Sequence, residues 1–413
     1  MKLPIKKILI LIGFLAVVLV LGYLLYYFFF GPAVGPTPPY IPKEAELKPG
    51  ELPKIVNANV RLPEAVNVNA ALPDIGLIPG EPSRVARGGL TRVQKLTDRP
   101  AKGTTVAPDG SLIYYDESTG KFYRRLTDGS VVELSGQVFH SVEKVTWAKQ
   151  ANQAILEYPD GSNILYNFDE QKQYTLPKAM RDFAFSASGS QIASEIIGPA
   201  PENNWLVTAN PTGSGIKFIE QIGDKGDDVL MNWSPNNQVI ATFRDSYGAD
   251  SQEIIFIGQN DENFKSLVTQ GRGFKGQWTP KGDKMLYSVY SQNDSFTPKL
   301  WLTNAQGDSI GNNNISLNLN TWIDKCTINK SGQAAYCAVP RELPFGSGWY
   351  PELAKGIADD FYYINLETGR YSLLAIPSGE INYSASQVFL TPDEKTLYFQ
   401  DQANDNLYSI DLP

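Results

Sequence analysis

A short pattern that recurs between residues 106 and 397 constrains the fold of this chain more than any other feature. Its clearest copy runs from Asn232 to Ala241 and joins an aromatic residue, a small hydroxyl residue, a proline turn and an apolar strand. Related copies begin at Val106, Phe185, Gln277 and Phe389, and two weaker copies lie around Ala148 and Asn329. Repetition at this spacing is typical of propellers, arrays and solenoids.

The number of repeats follows from the residue at the hydroxyl position of each copy. That residue falls at Ala107, Ala148, Ser186, Ser234, Thr279, Asn329 and Thr391, with intervals of 41, 38, 48, 45, 50 and 62 residues. Units of about 40–50 residues with short alternating strands predict an all-β, seven-bladed propeller with four strands in each blade. The seventh unit reaches only a third strand, so we expect residues 90–97 to supply its fourth strand and close the ring.

These turns, which precede strands rich in aromatic residues, resemble the TolB-like, or WD-like, β-propeller repeats. The resemblance covers residues 90–413, and among the seven repeated turns the complete Pro-Asp-Gly occurs only at Pro108-Asp109-Gly110. It implies the propeller fold and a general binding role. TolB itself has an α/β domain before its propeller, and this chain has a short proline-rich segment there, so TolB's own partners are not implied.

The N-terminal segment predicts a membrane anchor. Residues 8–30 form a run of 23 residues without a charge, and a helix of that length spans a bilayer. Lys2, Lys6 and Lys7 precede the run. By the positive-inside rule, residues 1–7 are expected in the cytoplasm and the residues after 30 outside, in the periplasm or the extracellular space. The sequence thus predicts a single-pass protein of the cell membrane. The alternative is a cleaved signal peptide, whose apolar region is normally only about 7–15 residues long.

Residues 31–89 predict a stalk between the anchor and the propeller. Proline recurs within a period of ten at Pro53, Pro63 and Pro73, and it opposes both helix and central strand. A semi-rigid spacer is one interpretation. The other is that apolar residues of the stalk, such as Val56 and Val66, dock on the propeller or on a partner.

Charge and composition restrict the partners. Residues 1–30 hold three lysines and no acid, so the remaining residues carry 33 basic and 44 acidic side chains. An excess of acid argues against nucleic acid as a partner. One histidine and two cysteines exclude a four-ligand zinc site of the His/Cys kind. We therefore expect no metal site and no cofactor.

Cys326 and Cys337 flank the turn of the sixth repeat. If residue 328 faces residue 335 across that hairpin, the two cysteines face each other directly. Export to an oxidising compartment favours a disulfide bond, and a pair of reduced, buried thiols is the alternative.

The remaining reactive residues give no catalytic set. His140, the only histidine, lies in the predicted connection between the first two blades. The sequence contains no Gly-x-Ser-x-Gly elbow that could supply a serine nucleophile. Asp224, Asp227 and Asp228, and the acidic loop around Asp401, do not follow a calcium-loop spacing. We expect these acidic loops to be solvated turns.

An insertion in the sixth unit, from Pro340 to Asp360, is the best candidate for a binding site. It contains Arg341, Phe345, Trp349 and Tyr350, and these residue types are enriched in interface hot spots. The alternative is that Trp349 and Tyr350 fold back on the neighbouring blade as a plug.

These observations predict a binding or scaffolding module of the cell envelope, whose partner is another envelope protein or a polymer, and not an enzyme. One alternative is a lyase or glycoside hydrolase with its site at the mouth of the propeller channel, which needs carboxylates paired at a fixed separation. Another alternative is a spacer or sensor for a complex in the membrane.

Overall fold

The computed structural model describes residues 18–22, which are helical, and residues 81–413. Most of the expected anchor and of the expected stalk lies outside these residues. Within the described part of the chain, we find no helix with the length and apolar character needed to cross a membrane.

Seven small β-sheets form the domain, which confirms the predicted seven-bladed propeller. The first strands of blades one to four contact each other in sequence, as do those of blades six and seven, and the first strand of blade seven contacts that of blade one. From the inner to the outer strand, blades one to three are as follows: Lys102–Val106, Leu112–Asp116, Lys121–Arg125 and Val131–Glu133; Lys144–Trp147, Gln153–Glu157, Asn163–Asn167 and Lys172–Leu176; Met180–Phe185, Ile192–Ile196, Trp205–Ala209 and Lys217–Gln221.

The other four blades follow the same order. Blades four to seven are as follows: Val229–Met231, Ala241–Ser246, Gln252–Ile257 and Leu267–Val268; Arg272–Trp278, Lys284–Tyr290, Pro298–Asn304 and Ile315–Ser316; Cys326–Ile328, Ala334–Pro340, Asp359–Asn365 and Tyr371–Ser378; Ala385–Leu390, Thr396–Asp401, Leu407–Asp411 and Gln94–Lys95. Short 3-10 helices occur in the connections at Pro201–Asn203, Gly226–Asp228, Gln292–Asp294, Gly307–Ser309, Ile323–Lys325 and Pro351–Ala354.

The repeated turn has one backbone geometry in all seven blades. The residue at the hydroxyl position donates its backbone N–H to the carbonyl of the residue four or five positions later. Its own carbonyl accepts the N–H of the residue three positions later. That third residue has positive φ throughout, at Gly110, Ala151, Gly189, Asn237, Gly282, Gly332 and Glu394. Glycine and asparagine adopt this conformation most readily, which explains their frequency here.

The hydroxyl itself closes the turn from inside. The Oγ atom of Ser234 accepts the N–H of Val239 at 2.9 Å and donates to Asn236 Oδ1 at 2.7 Å, and Ser234 is fully buried. Thr391 Oγ1 accepts the N–H of Thr396 in the same way. The small hydroxyl residue therefore recurs because it satisfies a buried backbone donor that has no ladder partner.

Closure of the ring differs in part from the prediction. Gln94–Lys95 pairs antiparallel with Leu407–Asp411 and completes blade seven, as expected. Gly89–Arg92, however, pairs in parallel with Tyr371–Ser378 and adds a fifth strand to blade six. The segment crosses between the two blades at Val93 because the outer strands of both blades offer unpaired backbone groups. Residues 83–88 also hydrogen-bond to propeller strands, for example from Ala86 N–H to the carbonyl of Asp411.

The alternation of antiparallel strands divides the loops between two faces. The back face holds the repeated turns between the first and second strands. The front face holds the connections between the second and third strands and those that lead into the next blade. The insertion at residues 341–358 and the smaller insertion at 198–204 both join second to third strands, so both lie on the front face.

Candidate functional site

The insertion of blade six packs against the corresponding loop of blade five. Gly346 donates its N–H to the carbonyl of Ser295 at 3.0 Å, and Gly348 donates to that of Phe296 at 2.7 Å. The indole of Trp349 stacks on the ring of Phe296, with centroids 3.8 Å apart. These contacts fix the position of the insertion on a neighbouring blade.

Two glycines permit this close approach. A Cβ at Gly348 would collide with the Tyr290 side chain and would lie 2.7 Å from the carbonyl oxygen of Phe296. Gly346 has φ of +80°, a conformation that L side chains rarely adopt. The glycines of Phe345-Gly346-Ser347-Gly348-Trp349 therefore serve backbone docking, and the aromatic residues between them are held in one arrangement.

Docking leaves large apolar side chains in solvent. We use the term aromatic surface for Phe296, Phe345, Trp349, Tyr350 and Leu353. The exposed fractions are 67% for Phe345, 64% for Tyr350, 50% for Leu353 and 45% for Trp349. The insertion thus folds back on blade five, as the alternative of a plug predicted. It also presents exposed apolar side chains, as the hypothesis of a binding site predicted.

Arg341 stands at the base of the insertion and is engaged within its own blade. Its Nε donates to Asp360 Oδ1 at 2.9 Å. The structure therefore brings three of the four predicted residues, Phe345, Trp349 and Tyr350, into one surface and gives Arg341 an ion-pair partner at its edge.

The mouth of the central channel is a second candidate site. A cavity of about 810 Å³ lies there, lined by residues of the inner strands and by loops that lead into them. Its charged lining residues are Lys144, Asp182, Asp227, Lys275 and Asp324, with Phe183 and Phe389 among the apolar ones.

Ion pairs across the channel mouth join neighbouring blades. Lys144 of blade two lies 2.6 Å from Asp182 of blade three, and Lys275 of blade five lies 2.8 Å from Asp324, which precedes blade six. Arg181 lies 3.5 Å from Asp227. Opposite charges alternate around the rim, so the cavity offers both acceptors and donors to a ligand.

Behind this rim lies a buried carboxylate, Glu195. Its Oε2 accepts a hydrogen bond from Arg181 Nε at 3.0 Å, and its buried Oε1 has no partner. Burial raises the pKa of Glu195 to about 7, and Arg181 limits that rise. Glu195 therefore exchanges its proton near neutral pH, although it does not itself line the cavity.

A second buried ion pair lies in blade six, where the insertion ends. A hydrogen bond connects it to blade seven. Lys325 Nζ lies 3.0 and 2.9 Å from the two carboxylate oxygens of Asp359, which also accepts the N–H of Ala385. Burial raises the pKa of Asp359 to about 6, and the Lys325 ammonium opposes that shift.

Cys326 and Cys337 stand directly opposite each other in the first hairpin of blade six, and they form a disulfide bond.

His140 is exposed in the connection from blade one to blade two. Within residues 18–22 and 81–413, no three His, Cys, Asp or Glu side chains converge as a metal site.

The acidic loops are only partly the solvated turns that we expected. Asp227 and Asp228 are exposed beside Arg181 and Arg244. Asp401 is fully buried, and its carboxylate accepts the N–H groups of Ser384 and Ala403. It caps the loop of blade seven, so the prediction of a solvated turn is wrong for this residue.

Comparison with known proteins gives the fold and no family. No protein-family model matches the chain, and no curated protein matches it. Many solved structures resemble it, and three of them illustrate the similarity. Oligogalacturonate lyase in complex with manganese has 11% identity and a TM-score of 0.50, covering 78% of this chain and 93% of the lyase.

The other two structures come from named organisms. A β-propeller domain from Myceliophteria thermophila has 10% identity and a TM-score of 0.51, covering 78% of this chain and all of that domain. Hydrazine synthase of Kuenenia stuttgartiensis has 15% identity and a TM-score of 0.51, covering 76% of this chain and 96% of the synthase chain. At such identities the similarity extends to the fold alone.

The lyase corrects one expectation. We predicted that the chain is not an enzyme, because no catalytic set is visible in its sequence. An enzyme is built on this same fold, so that prediction was wrong. Residues that are distant in sequence meet at the channel mouth, and local motifs do not reveal such a set.

Proposed function

We propose that this protein is a propeller module of the cell envelope, anchored by residues 8–30, that binds a partner protein through its front face. The observation that carries the proposal is the aromatic surface. Phe345, Trp349 and Tyr350 are exposed, yet glycine-dependent contacts with blade five hold them in place.

Fixed, exposed aromatic residues favour association. Apolar patches of this kind mark interaction sites, and tryptophan and tyrosine are prominent among the residues that dominate binding energy. A partner that meets a preformed surface loses less free energy to ordering than one that meets a mobile loop. The lysines at positions 2, 6 and 7 and the uncharged run that follows support the anchored, extracytoplasmic arrangement.

The test is a proximity-crosslinking pulldown from intact cells. It compares the wild-type chain with the double variant Trp349→Ala, Tyr350→Ala. Phe218→Ala is the matched control, because Phe218 is 55% exposed and pairs with Trp205 on the outer part of blade three. We expect specific envelope proteins to disappear with the double variant and to remain with the control. Unchanged partners in the double variant would refute the proposal.

The channel mouth supports a second candidate function, a reaction on a bound ligand. Its cavity brings Asp182, Asp227 and Asp324 together with Lys144 and Lys275, and carboxylates and lysines are common acid–base groups. An elimination in a uronic-acid oligosaccharide moves a carbon-bound proton to such a base while a glycosidic C–O bond breaks. Incubation of the full-length chain with oligogalacturonate should then give an unsaturated product. The Asp227→Asn variant should form less of this product. No product from the wild-type chain rules out this substrate.

A further inference from the structure

Two arginines lie on the front face where blades four and five meet, and a hydrogen bond from Arg272 to the carbonyl of Gly248 joins the two blades there. Arg244 lies near the end of the second strand of blade four, and Arg272 begins the inner strand of blade five. Arg244 Nη2 donates to the carbonyl of Asp227 at 2.5 Å, and Arg272 Nη2 donates to that of Gly248 at 3.3 Å. Backbone acceptors thus orient both guanidinium groups.

Both guanidinium groups have unused hydrogen-bonding capacity. Among the described residues, each guanidinium donates a hydrogen bond through Nη2, and its Nε is buried without a partner, which leaves the Nη1 atoms of Arg244 and Arg272 for a ligand. Among the described residues, the acid within ion-pairing distance of Arg244 is Asp228, at 3.9 Å, and no acid lies within 4.0 Å of Arg272. A partly buried charge without a counter-ion, as at Arg272, is costly, and a bound anion would lower that cost.

Arg272 adjoins the aromatic surface, because it pairs across the strands with Tyr290. Burial raises the pKa of the Tyr290 hydroxyl, and Arg272 and Arg244 both oppose the shift, so both charges act on this hydroxyl. The ring of Tyr290 packs edge-on against Trp349, with centroids 6.0 Å apart. An apolar group on the aromatic surface and an anionic group between the arginines can therefore belong to one partner.

We propose that Arg244 and Arg272 bind a carboxylate of the partner protein, so that an acidic side chain contacts both guanidinium groups while neighbouring apolar residues cover Trp349 and Tyr350. The inference rests on the proposed binding function and specifies the chemistry of the partner. Guanidinium groups present paired N–H donors that match the two oxygens of a carboxylate.

The first experiment uses the same pulldown from intact cells with Arg272→Gln. Its control is Arg370→Gln, an exposed arginine in the turn between the third and outer strands of blade six, on the back face. We expect the partners that depend on Trp349 and Tyr350 to decrease with Arg272→Gln and to stay with Arg370→Gln. If they depend on Trp349 and Tyr350 but not on Arg272, the binding function stands and this inference fails.

The second experiment probes the site without the partner. Phenylglyoxal labels accessible guanidinium groups, and peptide mass spectrometry of the purified full-length chain reads each arginine separately. Poly-glutamate should slow labelling of Arg244 and Arg272 relative to chloride at equal ionic strength, and should leave Arg124, which pairs with Asp109 at 2.7 Å on the back face, unaffected. Equal rates with and without poly-glutamate would overturn the inference. Equal protection by inorganic phosphate would show a general oxyanion site and overturn the carboxylate assignment.

Discussion

Replacing Glu195 with glutamine should change how the stability of the propeller depends on pH. Glu195 is about 1% exposed, and the charged groups that face it are Arg181, Asp182 and Asp227. Burial raises its pKa from 4.5 to about 7. The folded state therefore binds more protons than the unfolded state between these two values, and the stability that Glu195 contributes is fully present below pH 4.5 and is lost as pH rises through 7.

The size of the effect follows from that shift. One pKa unit corresponds to about 1.4 kcal/mol, so Glu195 should account for a loss of at most about 3 kcal/mol in the free energy of unfolding between pH 5 and pH 8. Glutamine mimics the protonated acid in shape and cannot ionise, so Glu195→Gln should remove this part of the pH dependence.

The assay is urea unfolding of the full-length chain at several pH values between 5 and 8, followed by fluorescence. Glu170→Gln is the control, because Glu170 forms an exposed pair with Lys172. We expect the stability of Glu195→Gln relative to wild type to improve steadily as pH rises, and Glu170→Gln to follow the wild-type curve. A constant difference between Glu195→Gln and wild type across this range would refute the reasoning.

Three further predictions concern the structure around the sites. Gly348→Ala should dislodge the insertion, because the added methyl group collides with Tyr290, and limited proteolysis should then cut the insertion faster while the blades stay intact. Ser234→Ala should lower the free energy of unfolding by about 1–3 kcal/mol, because it leaves a buried backbone donor unpaired; a urea titration measures this. Lys325→Met should cost about 3–5 kcal/mol at pH 8, because Asp359 then remains buried without its partner; a smaller loss at pH 5, where Asp359 is protonated, checks the cause.

The propeller could be predicted from sequence because its repeat encodes a backbone requirement. A hydroxyl at position Ser234 and a residue of positive φ at Asn237 recur for the same physical reason in each blade. Closure was predicted only in part. Residues 89–92 and 94–95 both read as short strands, and the choice between blade six and blade seven depends on which outer strand has an unpaired edge.

The sites were harder to predict because their residues come from different blades. Trp349 was recognised as a binding candidate, but its stacking partner Phe296 is a single aromatic residue in the loop of another blade. The pair of Lys144 and Asp182 and the pair of Lys275 and Asp324 each span residues about forty to fifty positions apart. Residues this far apart form no local sequence motif, and they meet only because the blades are arranged in a ring.

The most direct test of binding at the aromatic surface is site-specific photo-crosslinking in intact cells. A benzoylphenylalanine at position 350 replaces Tyr350, and the same group at position 218 replaces Phe218 as the control. If the aromatic surface binds a partner protein, illumination should give a discrete adduct from position 350 that is absent from position 218. No adduct from position 350, or the same adducts from both positions, would contradict a partner at this surface.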